Sequence, residues 1–408
     1  MPEGVRRVRL RILILVPSFD TGGGIPAAAQ FAYNVIARSG LFDVDLVSLS
    51  TSARDPCSVR LLSPSSWARG VVVEHRQSRG IHFRHVGAVF SELEFQRYRS
   101  RPALEKIMSA YDMVQVIAGS PAWGVAAASF SGPRILQVAT LASVERRALL
   151  RSLGPLLFAW RGLMTVITAA FDRAGLRDAS AIQVMNSWML RHAASIAPHT
   201  PVVLAPPGVD TEFFRPPTVR TPAHLLTVAR LNDPRKNIAL LVRAYARLRG
   251  SLPGGSIPPL VLAGKSRPPA EVDGLIKSLR LEEVVIVQEA VSEHELLQLY
   301  QHARLFVCSS DEEGLGIAIL EAMACGAPVV STRCGGPETM IRNNETGLLV
   351  DPNDEKELAD AMARILIDEY GAARMAANGL ALVQAEFSYP AAGARLLSMY
   401  QQLAGTAR

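Results

Sequence analysis

The chain has 408 residues, of which 49% are hydrophobic and 20% charged, with 43 Lys and Arg against 37 Asp and Glu. This composition excludes a disordered chain, and the length suits two or three domains. The four cysteines, at positions 57, 308, 325 and 334, are too few for a disulfide scaffold; with no CxxC and no His close in sequence they form no zinc pattern.

The start, Arg6–Val16, has the basic-then-apolar look of a signal peptide, but its apolar run is short and Pro17, Ser18 and Asp20 end it. A buried strand over Arg11–Val16 is the better reading, followed by a helix over Ile25–Arg38 and a strand over Val44–Leu49. Between them lies Thr21-Gly22-Gly23-Gly24-Ile25-Pro26-Ala27, whose glycines allow a backbone to approach a phosphate at a helix start. Gly22-x-Gly24-x-x-Ala27 also fits the dinucleotide fingerprint, so an NAD-dependent oxidoreductase is a rival reading. Against it, five residues separate the strand from the first glycine, whereas the fingerprint follows its strand at once. Asp43-Val44-Asp45 is a DxD triplet, a spacing that can hold a divalent metal, but here it reads as polar residues at a strand start.

Further strands are expected at Met113–Ile117, Ile135–Val138, Ala181–Val184 and Val202–Leu204. The stretch Leu153–Phe171 is apolar apart from Arg161, and Arg146, Arg147, Arg151, Arg173 and Arg177 flank it. It reads as a core helix or as an interfacial one. No run of about 20 residues is free of charge, so no spanning helix is expected. Pro206-Pro207-Gly208-Val209-Asp210 and Phe213-Phe214-Arg215-Pro216-Pro217 then mark a linker or hinge. A second alternating series follows, with strands at Leu225–Ala229, Leu260–Ala263, Val284–Val287, Leu305–Cys308, Pro328–Ser331 and Gly347–Val350. Its helices are expected at Ile238–Arg249, Glu293–Gln301, Ile317–Ala324 and Asp354–Asp368. The pattern predicts an α/β protein with two doubly wound parallel-sheet halves facing across a cleft. The expected division is a first domain over 1–205, a linker over 206–222, a second domain over 223–385 and a terminal helix over 386–408 that returns to the first domain.

Charge is uneven. Residues 1–215 hold 24 Lys and Arg against 15 Asp and Glu, or +9, and the remainder 19 against 22, or −3. A basic first half suits an anionic partner, such as a phosphorylated substrate or a membrane surface, or serves solubility alone. No nucleic-acid-binding pattern accompanies it.

The strongest motif is Glu313-Gly314-Leu315-Gly316-Ile317-Ala318-Ile319-Leu320-Glu321-Ala322-Met323-Ala324-Cys325-Gly326-Ala327-Pro328, with two carboxylates eight positions apart. A glycine-rich loop opening a helix points backbone N–H groups and a positive dipole end at an anion or at sugar oxygens. Glu321 can then accept from vicinal hydroxyls and Glu313 can face a reacting sugar; taken alone, the pair reads equally as a helix-surface acid and a capping acid. Arg230-Leu231-Asn232-Asp233-Pro234-Arg235-Lys236-Asn237 places cations on a strand-to-helix loop, which suits a departing diphosphate.

The Glu313–Pro328 block resembles the E-x7-E signature of family-four retaining glycosyltransferases with the GT-B fold. The resemblance continues in Cys334-Gly335-Gly336-Pro337-Glu338 and in Glu345-Thr346-Gly347-Leu348-Leu349-Val350-Asp351-Pro352, and covers most of residues 305–368. Pro207-Gly208-Val209-Asp210 with Phe213, and the tail from Phe387 to Tyr400, are similar to the family's interdomain segment and terminal helix. The resemblance implies two Rossmann-like domains and transfer of a hexose from a UDP- or GDP-linked donor to a glycan, lipid-linked or small-molecule acceptor. It implies catalytic roles for Glu313, Arg230 and Lys236, with Arg235 blurring the lysine register by one position. Donor contacts are expected from Gly22, Gly23, Gly24, Arg235, Val291, Gly314, Leu315, Gly316, Ile317 and Glu321. No metal and no cofactor are expected, the nucleotide sugar being a substrate. A cytoplasmic enzyme is expected, with peripheral membrane contact through the basic first domain at the inner face. One departure stands out: where many relatives carry a His near the sugar, this chain has Ala139 and Thr140. A non-catalytic nucleotide-sugar-binding subunit is the reading that would apply if catalysis had been lost, although both the acidic pair and the cationic pair are intact.

Overall fold

The computed structural model describes residues 9–21, 23–146, 154–252 and 257–406, excluding the side chains of residues 155, 156 and 406. Gly22 lies outside the described residues. Contacts divide the chain into two compact units, Met1–Pro207 with Gly393–Arg408, and Gly208–Ala392.

The first unit is built on an eight-stranded sheet. In chain order its elements are β1 (Arg11–Pro17), α1 (Gly24–Ser39), β2 (Asp43–Leu49), α2 (Pro64–Arg69), β3 (Val73–Ser78), β4 (Ile81–Val86), α3 (Pro102–Met108), β5 (Met113–Ala118), β6 (Arg134–Val138), α4 (Ala142–Glu145), α5 (Pro155–Asp178), β7 (Ala181–Val184), α6 (Ser187–Ile196) and β8 (Val202–Leu204). The strand order is β3-β4-β2-β1-β5-β6-β7-β8, parallel except for β3, which pairs antiparallel with β4. Ile12 to Val16 are fully buried, as the continuous apolar run of a central parallel strand demands. Between β1 and β2, α1 opens at Gly23, whose φ of 121° is one that L side chains rarely adopt. Asp43 and Asp45 lie at the start of β2. They pair with Arg9 at 3.9 Å and Arg11 at 3.7 Å, and Tyr111 donates to Asp45 at 2.7 Å. The DxD carboxylates are thus held by basic and phenolic neighbours at a strand start.

The second unit contains β9 (His224–Val228), α7 (Ile238–Ser251), β10 (Leu260–Gly264), α8 (Ala270–Ser278), β11 (Val285–Glu289), α9 (Glu293–Gln301), β12 (Ala303–Cys308), α10 (Ile317–Ala324), β13 (Val329–Thr332), β14 (Leu348–Val350), α11 (Glu355–Ile367) and α12 (Glu369–Leu382). All six strands are parallel, in the order β11-β10-β9-β12-β13-β14. Counted from β9 this is 3-2-1-4-5-6, so the strand order reverses between β9 and β12. In open α/β sheets the ligand crevice lies beyond the carboxyl ends of the strands at that switch point.

From Gly208 onward the proline-rich segment packs as part of the second unit. Val209 N–H donates to the Phe387 carbonyl at 2.7 Å and its own carbonyl accepts from Tyr389 at 3.1 Å. Gly208 is needed there, because a Cβ would stand 2.8 Å from the Ser388 carbonyl oxygen. The last helix, α13 (Tyr389–Thr406), belongs to the first unit from Gly393. Its Tyr400 is fully buried, donates to the Gln115 side chain on β5, and meets Phe42 edge-on with centroids 5.8 Å apart.

Candidate active site

The loop after β9 and the loop after β12 flank the switch point of the second sheet, and hydrogen bonds fix one upon the other. Asn237, in the left-handed region at φ 45°, caps α7 through its side chain. Its amide also donates to Asp311 at 2.8 Å, while the Ser309 hydroxyl donates to the Lys236 carbonyl at 2.9 Å. The Asp311 N–H donates to the Arg235 carbonyl at 2.8 Å.

On that frame Lys236 reaches across to Glu313, with Nζ 2.5 Å from Oε1. Ser310 donates to the same carboxylate oxygen at 2.9 Å. Burial alone would lower the Lys236 pKa, but the facing Glu313 carboxylate outweighs it and raises it, so the lysine is held as an ammonium. Glu313 is fixed by its backbone as well. Its N–H donates to the Cys334 carbonyl at 3.1 Å and its carbonyl accepts from Gly336 at 2.8 Å, a bridge between the two glycine-bearing loops. Gly336 is required for this approach, since a Cβ would fall 2.4 Å from the Leu315 backbone.

Arg235 and Lys236 are separated in role by geometry. Arg235 forks onto Asp233, with Nε at 3.1 Å and Nη2 at 2.8 Å, and reaches Glu312 at 3.3 Å. Burial pushes the Asp233 carboxyl up, but the bonds and charges of Arg235 and then Arg230 bring it below its usual value. Lys236, not Arg235, is therefore the cation beside Glu313. Arg230 pairs with Asp233 at 2.7 Å yet keeps half of its side chain exposed, leaving N–H groups available at the strand edge.

Gly316, at φ 91°, caps α10, and no acidic residue stands in that helix's first turn. The dipole end is thus uncompensated within the helix. Leu315 is buried beneath it. A cavity of about 20 Å³ opens between the loops, lined in part by Thr227, Lys236, Cys308, Ser310, Glu313 and Gly316. Glu321 is not among its lining residues. Tyr300, fully buried on α9, donates to Glu321 Oε2 at 2.6 Å. Val291 follows β11, two strands from β9 along the same edge. Gly23 and Gly24 open α1 in the first unit.

Sequence reasoning missed several members of this group. Asp233 and Asn237 carry a helix-start signal in their residue types. Ser310, Tyr300 and the buried thiols Cys308 and Cys334 carry none. Hydrogen bonding from the Cys334 thiol lowers the pKa of Cys308, and the same contact raises that of Cys334. A second group was equally hidden. Asp55, Cys57 and His85 bring potential metal-ligand atoms within 4.8 Å of one another, although Cys57 and His85 are far apart in sequence. His85 bonds Asp55 at 2.8 Å, and the Arg76 guanidinium lies 4.0 Å from Asp55 and 3.7 Å from the Cys57 sulfur. Burial, then Glu74, push the Cys57 thiol up to about 11, and a cation already faces the cluster. These residues fit a guanidinium better than a metal ion.

Residues 209–381 match the family model of glycosyl transferases group 1. The match falls within the second unit, which is similar to the group 1 glycosyl transferases. The chain is 29% identical over 378 residues to a D-inositol 3-phosphate glycosyltransferase of Acidothermus cellulolyticus, covering 85% of this chain and 78% of the relative. It is 32% identical over 225 residues to a GDP-mannose-dependent alpha-(1-6)-phosphatidylinositol monomannoside mannosyltransferase of Mycobacterium tuberculosis, covering 50% of this chain and 57% of the relative. The chain thus spans little more than half of that relative. Among solved structures it resembles sucrose-phosphate synthase of Thermosynechococcus elongatus, with a TM-score of 0.74 at 22% identity over 98% of this chain and 100% of the other. It also resembles Anabaena HepE in complex with UDP and glucose, with a TM-score of 0.68 at 16% identity over 97% of this chain and 100% of the other. These similarities show the GT-B fold, as the sequence led us to expect.

Proposed function

We propose that this protein transfers a hexose from a UDP- or GDP-linked donor to a glycan, lipid-linked or small-molecule acceptor, with retention at the anomeric carbon. The observation that carries the reading is the Lys236–Glu313 pair at 2.5 Å, set at the strand-order reversal beside a half-exposed Arg230. When a pyrophosphate leaves a sugar, negative charge grows on its oxygens. Arg230, Lys236 and the N–H groups at the start of α10 stabilise that charge without a divalent cation. Glu313 takes the sugar side, and Glu321, oriented by Tyr300, takes the ribose hydroxyls. The acceptor attacks from the face the diphosphate leaves, across an oxocarbenium-like centre. The relatives named for inositol 3-phosphate and for a phosphatidylinositol monomannoside support a phosphorylated or lipid-linked polyol as acceptor. GDP-mannose dependence of one relative and UDP in one structural neighbour leave both bases as candidates for the assay.

The test is release of nucleoside diphosphate from a panel of UDP- and GDP-hexoses by the full chain, with and without inositol phosphates and lipid extracts. One donor should be consumed, faster with acceptor, and by neither the Arg230→Ala nor the Glu313→Ala variant. No turnover of any nucleotide sugar, with a folded protein, would overturn the proposal.

A further inference from the structure

Helix α5 is anchored by only part of its length. From Met164 onward it packs closely on the first unit. Met164, Thr168, Asp172 and Leu176 are buried, and the Asp172 carboxylate accepts from the backbone N–H groups of Ala122 at 2.9 Å and Ala142 at 3.1 Å. Gly175 lies so near the Pro121 carbonyl that a Cβ there would be 2.0 Å from its oxygen. Before Met164 the helix leaves this support. Leu157, Phe158, Trp160 and Leu163, and one turn further Val166, are 44 to 70% exposed. They stand on more than one side of the helix, so these turns project from the body instead of turning one stripe toward it. Trp188, on α6, adds another exposed aromatic ring, stacked on His192.

The sequence around this helix is strongly biased in sign. Between positions 146 and 191 the sequence has seven arginines and two aspartates, and one of the two, Asp172, is buried. Arg173, Arg177 and Arg191 are exposed. Among the described residues no helix is long and apolar enough to cross a membrane. An apolar helix end with Trp and Phe that carries Arg161 among them, with Arg173 and Arg177 exposed further along the same helix, has the chemistry of a segment that lies in the headgroup region of an anionic bilayer.

We propose that the projecting end of α5, residues 157–166, docks the protein on an anionic lipid surface, with Phe158 and Trp160 as the inserted anchors. The apolar side chains enter the acyl boundary while Arg161, among them, meets the lipid phosphates. This docking is independent of the transfer reaction and reads out without it.

The experiment is flotation of the full chain with phosphatidylcholine vesicles containing or lacking phosphatidylglycerol. The protein should float with the anionic vesicles only, and less at high salt, because the charge contribution is screened. The double variant Phe158→Ser/Trp160→Ser should reduce vesicle-bound protein about tenfold or more with an unchanged melting temperature, since both rings are exposed in the folded chain. Arg161→Glu should weaken binding to anionic vesicles. The proposal is overturned if the wild-type chain stays unbound with both vesicle types, or if the double variant binds as well as wild type. It is also overturned if the chain forms a dimer that the double variant dissolves while lipid binding is absent, because a second copy would then be the occupant of this face.

Discussion

Lys236 and Glu313, 77 positions apart in sequence, form a 2.5 Å ion pair across the crevice between the β9 and β12 loops. The pair is largely shielded from water, with side-chain exposures of 13% and 16%. Removing one partner of such a pair strands the other charge, at a cost of roughly 3–5 kcal/mol when burial is complete and less here. Glu313→Gln and Lys236→Met should each lower stability, whereas the double variant should recover part of the loss. Activity should not follow stability. All three variants should lose on the order of 10²–10³ in transfer rate, the scale of one preorganised charge donor. Chemical denaturation beside steady-state kinetics checks this, and a double variant that regains turnover would show the pair to be structural only.

Arg230 gives the converse case. It is half exposed and makes a surface-type pair with Asp233, so Arg230→Ala should change stability by no more than about 0.5 kcal/mol. Transfer should nevertheless fall on the order of 10²-fold or more. Near-normal turnover in the purified variant would remove Arg230 from the reaction. Chelators belong to the same experiment: with Arg230 and Lys236 supplying the positive charge, EDTA should leave the wild-type rate unchanged.

Tyr300→Phe deletes only the oxygen that donates to Glu321. The buried hydrogen bond is worth about 1.5–3 kcal/mol because its acceptor is charged. A carboxylate held less firmly should grip the donor nucleotide less well, so the donor KM should rise several-fold while kcat changes little. A loss confined to kcat would mean that Glu321 acts elsewhere than on the nucleotide.

Asp172 gives a pH signature in the first unit. Burial raises its carboxyl, and bonds from Ala122 and Ala142 and the nearby Arg146 only partly offset this, leaving it at about 6 against an ordinary 3.8. The folded state therefore holds the proton more tightly than the unfolded chain. The resulting stability is fully present below pH 3.8 and is lost as pH rises through about 6, a change of up to roughly 3 kcal/mol. Asp172→Asn removes this dependence. The melting temperature of the variant relative to wild type should therefore climb between about pH 4 and pH 6, as differential scanning measures; a constant difference would contradict the assignment.

Much of this architecture is legible in the residues. The run Ile12–Val16 could only be a doubly buried strand, and Ile317–Ala324 and Glu293–Gln301 are helices with the expected ends. The β3–β4 hairpin is hard to read in the sequence because β3, Val73–Ser78, has a single apolar residue, and the alternation of Ile81 and Phe83 with His82 and Arg84 in β4 is too short to stand alone. At the candidate site, the glycines and the first carboxylate were visible because backbone geometry restricts which residues fit there. The lysine register was not, because adjacent cations are equivalent in composition and only the fork onto Asp233 distinguishes Arg235 from Lys236. Tyr300 was invisible for a similar reason: a buried phenol on a helix looks like core until its oxygen is seen beside Glu321.

The most direct test of the account is thermal stabilisation of the full chain by UDP, GDP and NAD, in wild type and in the Arg230→Ala/Lys236→Ala variant. One nucleoside diphosphate at about 100 times its dissociation constant should add roughly 2.7 kcal/mol to the wild type and much less to the variant, with no effect of NAD. Stabilisation by NAD alone, or by a diphosphate equally in both proteins, would contradict it.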